Sequence, residues 1–336
     1  MPDRDQFRRQ LDEAGVYAHE GIGQNFLIDD GYLSAMASRV SQGSTVIEVG
    51  SGPGNLTELL AQRAGKVIGL EIDTQFRPLL DRVQAKYKNV EIVYTDAVRS
   101  ISKYTGGFHP FSDVQIVANL PFHITEPFLT KTIGLGVSDI SLLLGDKAAE
   151  EIAASPESWS FGKLSLLAQT FYDISIVTSV PRQAFYPQPP TDSSIVVFYP
   201  KNKRELNSSR SNAIFARLFQ NANKNGLVIN EIKQALVEQG SGYGTLDKHE
   251  SHQRDRANVK RELRNMRDTG DSNNSGGDRR SNLVLSQSHA LDMISRMGIS
   301  DLTLRKPFNR FDNQEIRELT IAVRKYFSQY PLCDTN

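Results

Sequence analysis

Through its first 200 residues the chain alternates short apolar runs with amphipathic stretches of helical period. The runs are 45–49 (TVIEV), 66–70 (KVIGL), 90–94 (VEIVY), 113–118 (DVQIVA), 139–144 (DISLLL), 173–180 and 194–199. Each is brief, rich in β-branched residues and bounded by turn formers, which reads as a strand. Between them, segments near 30–40, 55–63, 74–87, 125–134, 146–154 and 162–171 repeat apolar residues at helical spacing. Strands alternating with helices of that length are βαβ units, so the pattern predicts an α/β fold with a mostly parallel sheet of seven strands. The last two strands, joined by the turn-rich PRQAFYPQPPTDSS, can instead pair as an antiparallel edge.

Beyond Pro200 the period becomes helical throughout, with candidates at 211–221, 227–239, 283–297 and 313–327. This predicts a domain over 1–200 and a smaller, all-helical one over 201–336. Residues 241–282 are rich in Gly, Ser, Asn, Asp and Arg, and their second half, DTGDSNNSGGDRRSN, is poor in apolar residues. Such a stretch reads as a flexible insert within the helical part.

The bulk numbers narrow the class. A chain of 336 residues with 39% hydrophobic and 23% charged residues is of ordinary globular composition. The single cysteine, Cys333, allows neither an intramolecular disulfide nor a zinc site, and points to a reducing compartment. No run approaches the ~18–20 apolar residues of a membrane helix. The opening MPDRDQFRRQLDEAGVYAHE has five acidic residues and no apolar core, unlike a targeting peptide. A cytosolic protein without membrane contact is expected. The zero net charge hides an asymmetry: residues 1–200 hold 16 basic and 23 acidic groups, whereas 201–336 hold 23 and 16. The basic half either faces a polyanion or consists of solvated helices.

Four successive strand ends carry the chemistry. The first runs into Gly50-Ser51-Gly52-Pro53-Gly54 and then a helix, a turn that lets backbone approach a ligand and offers free N–H groups. The second ends at Glu71-Ile72, where an acid binds ribose hydroxyls in doubly wound folds. The third ends at Thr95-Asp96-Ala97, where a carboxylate can meet an adenine amine. The fourth ends at Asn119-Leu120-Pro121-Phe122: an amide to accept from an exocyclic amine, a rigid turn, and an aromatic face for a planar ring. Alone, Glu71 or Asp96 reads more readily as a solvated turn carboxylate than as a ligand contact. Together the four describe a nucleoside cofactor site at the carboxyl edge of the sheet. The third glycine falls one place too early for the dinucleotide pattern G-x-G-x-x-G.

These residues resemble the ribosomal RNA adenine dimethyltransferase family. The resemblance is carried by Gly23-Gln24-Asn25-Phe26-Leu27, EVGSGPGNLT at 48–57, GLEID at 69–73, TDA at 95–97, NLPF at 119–122, FGKLSLLAQ at 161–169 and AFYPQPPTDSSIV at 184–196. It covers roughly residues 15–200. GISDLTLR at 298–305 is similar to the C-terminal helices of the family's small-subunit branch. The resemblance implies a Rossmann-like class I methyltransferase fold using S-adenosylmethionine. It implies that Asn25 and Leu27 lie over the cofactor, that Gly50 and Gly52 line its methionine part, and that Glu71 and Ile72 flank the ribose. Asp96 and Ala97 would meet the adenine. Asn119, Leu120, Pro121 and Phe122 would be catalytic, with Phe122 stacking on the target adenine. Phe185 is either a second stacking face or a core phenylalanine.

The implied reaction is N6-dimethylation of adjacent adenosines near the 3′ end of small-subunit ribosomal RNA, by a monomer acting on the 30S pre-ribosomal particle without a metal. Resistance-type methyltransferases of large-subunit RNA share most of these motifs. DNA adenine methyltransferases have proline where this chain has Leu120. A non-enzymatic RNA-binding assembly or transcription factor on the same fold is the alternative from another class. Two departures stand out. The family's basic R-R-K run is Asn223-Lys224-Asn225 here, and its Q-K-E is Gly145-Asp146-Lys147. The cluster RDRANVKRELRNMR at 254–267 either supplies phosphate contacts or is a solvated helix.

Overall fold

The computed structural model describes residues 4–19, 23–105, 114–120, 124–133, 139–201, 209–221, 226–240 and 287–330. They fall into two compact units, Met1–Leu206 with Arg310–Arg324, and Asn207–Asn309 with Lys325–Asn336. The insert 241–282, Asn223-Lys224-Asn225, Pro121, Phe122 and Cys333 lie outside the described residues.

Among the described residues the first unit has nine strands: β1 (Phe26–Leu27), β2 (Thr45–Val49), β3 (Lys66–Glu71), β4 (Val90–Tyr94), β5 (Val114–Asn119), β6 (Ile140–Gly145), β7 (Tyr172–Val180), β8 (Phe185–Tyr186) and β9 (Ser193–Pro200). Seven form one sheet in the order β4-β3-β2-β5-β6-β9-β7, and β1 pairs with β8 separately. Strands β2 to β6 are parallel to one another, while β9 runs antiparallel to both β6 and β7. The sheet is thus mixed but mostly parallel, as the alternating pattern predicts. The strand pair at 172–200 is antiparallel, with β9 interior and β7 at the edge. Parallel strands covered on both faces need unbroken apolar runs, and β6 is buried at all six positions.

The covering helices are α1 (Arg4–Glu13), α2 (Asp30–Ala37), α3 (Asn55–Ala61), α4 (Arg77–Lys86), α5 (Ala97–Ser100), α6 (Thr125–Thr132), α7 (Asp146–Ala153) and α8 (Lys163–Phe171). Capping fixes several starts. Asp29 accepts from the N–H groups of Gly31 at 2.9 Å and Tyr32 at 3.3 Å, and so caps α2. The six helices read from periodicity are present; α1 and the single turn α5 are additions to that reading. Its Phe7 and Leu11, four apart, are buried against Phe26, Phe76 and Leu80.

Gly162, before α8, has a packing reason. A Cβ there would lie 2.6 Å from Asn313 Oδ1, whose helix Asn313–Gln329 begins in this unit. Arg317 on that helix donates to the carbonyls of Trp159 at 2.9 Å and Phe161 at 3.3 Å.

The second unit has helices Arg210–Asn221, Val228–Gly240, Gln287–Arg296 and Asp301–Leu304. Ile214, Phe215, Leu218, Ile232 and Leu236 form its buried apolar faces. Arg217 crosses between the first two helices to reach Glu231 at 3.1 Å and Glu238 at 2.8 Å.

Candidate active site

The sheet order reverses at β2. The chain moves outward through β3 and β4, then returns to lay β5 on the other side of β2. Such a switch point opens a crevice at the carboxyl ends of the two central strands. The register pairs Val49 with Ala118, so Gly50 and Asn119 sit side by side at that edge. A Cβ on Gly50 would lie 3.9 Å from the Asn119 carbonyl oxygen.

A cavity of about 530 Å³ occupies this edge, within the ~300–1,000 Å³ usual for small-molecule sites. It gathers Asn25, Gly50, Gly52, Glu71, Ile72, Asp96, Ala97, Asn119, Leu120 and Phe185 from segments scattered over 160 positions. Leu27 is placed differently. Its side chain is in the core with Val46, Leu56 and Val117, and it borders a separate cavity of about 40 Å³ beneath the glycine turn. Phe185 is only 2% exposed and packs in that same core while bordering the large cavity.

The glycine turn is held by an acid. Gly52 has φ +51° and donates its N–H to Glu71 Oε2 at 2.7 Å, and the N–H of Asp73 donates to Oε1 at 2.8 Å. Burial pushes the Glu71 carboxyl up, opposed by these backbone hydrogen bonds. Gly54, at φ +93°, starts α3, where a Cβ would come within 3.0 Å of Val83 Cγ2. Ile72 is 69% exposed at the cavity mouth. An apolar side chain left open at such a rim is suited to the face of a ring.

Asp96 is doubly employed. Its Oδ1 caps α5 by accepting from Val98 N at 2.9 Å, and its Oδ2 lies 3.2 Å from Arg99 Nε. Asn119 donates from Nδ2 to the carbonyl of Asn25 at 2.9 Å, so its Oδ1 is left as an acceptor. Leu120 continues the strand, its N–H donating to Leu143 O at 3.2 Å.

Several contributors lie outside the sequence expectations. Gln24 donates from Nε2 to Asp73 at 2.8 Å and accepts from His19 N at 2.8 Å, fastening the N-terminal segment to the end of β3. The bridge Phe26↔Tyr186 and Leu27↔Phe185 joins that segment to the AFYPQPP motif. Glu48 is 1% exposed and accepts from Ser51 Oγ at 2.8 Å and Thr57 Oγ1 at 2.6 Å. Its position within EVGSG was the only available signal. Asp146, in the departure from Q-K-E, accepts from Ser194 Oγ at 2.7 Å and so ties α7 to the DSS motif.

A doubly wound sheet with its glycine turn, acid-ended second strand and amide-ended fourth strand converging on one crevice defines a protein of the class I methyltransferase kind. The comparisons then narrow the class. The family model for ribosomal RNA adenine dimethylase matches residues 16–247, and the chain belongs to that family. A relative named ribosomal RNA small subunit methyltransferase A, from Ligilactobacillus salivarius, is 38% identical over 205 residues, covering 59% of this chain and 68% of that protein. One of the same name from Bacillus mycoides is 36% identical over 192 residues, covering 55% and 66%. The matched stretches thus span about two thirds of each relative. A solved dimethyladenosine transferase from Plasmodium falciparum superimposes with a TM-score of 0.50 at 21% identity, covering 89% of this chain and 97% of that one, which shows a shared fold. Among the described residues, no helix is long and apolar enough to cross a membrane.

Proposed function

We propose that the chain transfers methyl groups from S-adenosylmethionine to N6 of adenosines in small-subunit ribosomal RNA. The observation that carries this reading is the orientation of Asn119. Its amide nitrogen is committed to Asn25 O at 2.9 Å, which turns the side-chain oxygen into a fixed acceptor at the mouth of a cavity lined by Glu71 and Asp96. The relatives' printed names support the small subunit as the source of the RNA.

The lining fits the cofactor. Gly50 and Gly52 bring bare backbone to its amino-acid end, Glu71 faces the ribose hydroxyls, Ile72 covers one ring face, and Asp96 with Ala97 meets the adenine edge. Asn25 lies over it from the N-terminal segment. Leu27 acts from beneath, through the core that supports the turn. When bound, the cofactor supplies an electrophilic sulfonium methyl. The adenine N6 lone pair is delocalised into its ring and is a weak nucleophile. By accepting from the amine, Asn119 Oδ1 and the Leu120 carbonyl favour a tetrahedral nitrogen aimed at the methyl, so rate comes mainly from positioning. By the family resemblance, Pro121 would be the rigid element of the NLPF motif and Phe122 would stack on the target base, which must leave its own stack to enter. Phe185 supports the opposite wall.

The reading extends to a monomer working on the assembling 30S particle in the cytoplasm, where a lone cysteine is at home. Transfer of radiolabelled methyl from S-adenosylmethionine to unmethylated 30S particles, compared with 23S RNA, tests it. Incorporation into 30S alone is expected. Labelling of 23S RNA alone would assign the chain to the large-subunit enzymes. Cofactor binding without any transfer would mark a non-enzymatic binding protein.

A further inference from the structure

The pairing of β1 with β8 is two residues long, yet it joins two walls of the large cavity. It sets Phe26 opposite Tyr186 and Leu27 opposite Phe185, and opposed residues of a strand pair share a face. Leu27 and Phe185 face the core, among Val46, Val117 and Ile195. Phe26 and Tyr186 take the other face. The backbone adds a hydrogen bond beyond the pair, from Ile28 N to Ala184 O at 2.9 Å. So short a ribbon is marginal in water unless side chains pack on it.

Helix α1 packs on that outer face. The Phe7 ring centre lies 6.2 Å from that of Phe26 and 5.8 Å, edge-on, from that of Tyr186, so one side chain touches both members of the outer pair. Arg4, three residues earlier on the same side of the helix, donates from Nη2 to the Gln183 carbonyl at 2.6 Å and from Nη1 to Gln188 Oε1 at 3.4 Å. The helix thus grips both strands, and neither Phe7 nor Arg4 borders a cavity. One peptide plane carries the grip to Asn119. The carbonyl that accepts from Asn119 Nδ2, at 2.9 Å, is that of Asn25. It belongs to the planar unit joining Asn25 to Phe26, so the side chains that hold Phe26 also restrain the direction of that carbonyl. On its other sides Phe26 is held independently. Its ring centre lies 5.5 Å from that of Phe76, and a Cβ on Gly52 would come within 3.2 Å of its Cε1. Those contacts survive the loss of Phe7, whereas the cover over the Phe26–Tyr186 pair does not.

We infer that α1 is a clamp on the β1–β8 bridge, with Phe7 and Arg4 as positioning residues that set the direction of the Asn119 amide through the Asn25 carbonyl. The clamp rests on the transfer reading above and adds to it two residues that lie outside the cavity. Loosening it lets the two walls shift against each other, and the Asn119 oxygen then loses its aim.

The test is a double-mutant cycle in the full chain. Methyl transfer to unmethylated 30S particles is measured at saturating S-adenosylmethionine and counted per site that binds radiolabelled S-adenosylhomocysteine. Phe7→Ala should lower kcat about tenfold, since misplacement by an ångström costs up to ~10²-fold, while S-adenosylhomocysteine affinity changes less than about threefold. In an Asn119→Ala background the same exchange should cost less than about twofold, because the amide it positions is gone. Phe7→Leu, which refills the outer face, should restore kcat to within about twofold of wild type. Arg4→Ala, at a half-buried position, should lower kcat about threefold in the wild type and not in Asn119→Ala. That second cycle decides the outcome if Phe7→Ala fails to fold. Equal losses in both backgrounds would overturn the inference, because α1 would then support the fold as a whole. So would a loss confined to S-adenosylhomocysteine affinity, or wild-type kcat in both variants. Absence of transfer by the wild type would overturn the clamp and the transfer reading together, whereas transfer with additive losses overturns the clamp alone.

Discussion

Exchanging Glu48 for Gln in the ligand-free protein separates a buried titration from all others. The Glu48 carboxyl lies at about 7 in the fold against an ordinary 4.5, with burial as the largest cause. A carboxyl raised on folding means that the native state holds the extra proton. Its contribution is therefore fully present below about pH 4.5 and is lost as pH rises through about 7. A displacement of roughly 2.5 units at ~1.4 kcal/mol per unit amounts to about 3 kcal/mol. Glutamine keeps an acceptor for Ser51 and Thr57 but cannot ionise. The unfolding free energy of Glu48→Gln relative to wild type should thus rise by about 3 kcal/mol between pH 4.5 and 8. Urea denaturation followed by circular dichroism, at pH 5, 6, 7 and 8, measures it. A constant offset between the two proteins would reflect imperfect shape and leave the slope intact. Parallel pH profiles, differing by less than ~0.5 kcal/mol in slope over the window, would refute the reasoning. They would show Glu48 ionised in the fold and hydrated in a way its burial denies.

Three further outcomes are expected. Asn119→Ala should lower methyl transfer by ~10²-fold or more, because orientation of the amine is lost; near-normal turnover in a filter-binding assay would remove Asn119 from the mechanism. Gly69→Ala should destabilise the protein by ~1–3 kcal/mol, since the added methyl meets both Ser51 Oγ at 2.5 Å and Ile92 Cδ1 at 2.6 Å. Its thermal midpoint should fall, and an unchanged midpoint would mean that β3 shifts at no cost. Deletion of 241–282 should weaken RNA binding and flatten its salt dependence if the basic run at 254–267 touches phosphate. Equal affinity and equal salt slope would leave that segment without an RNA contact.

The strands were legible because a covered parallel sheet leaves a local mark. Runs such as VIEV and ISLLL have no other stable use in a chain punctuated by glycine, proline and asparagine. The strand-end acids and amide were legible for a related reason, since a doubly wound sheet presents every carboxyl end to one crevice. Helix α1 escaped because its apolar face amounts to Phe7 and Leu11 alone, partnered by Phe26 and Phe76 from distant segments. Glu48 escaped because nothing in EVGSG distinguishes an acid aimed outward from one buried to 1%.

The sequence by itself determined the order of elements, the glycine turn, and the residue types at each strand end, because these follow from local propensity and short-range spacing. Only the tertiary structure decided which of them meet. The reversal of strand order at β2 set Gly50 beside Asn119. The two-residue bridge between β1 and β8 closed Asn25 and Phe185 over the same cavity from 160 positions apart. Asn119 received its direction from the carbonyl of Asn25, and Leu27 went into the core rather than the large cavity. Contacts of that separation depend on the global packing of the sheet, where burial of apolar surface outweighs the entropy of closing long loops. No window of sequence contains that balance.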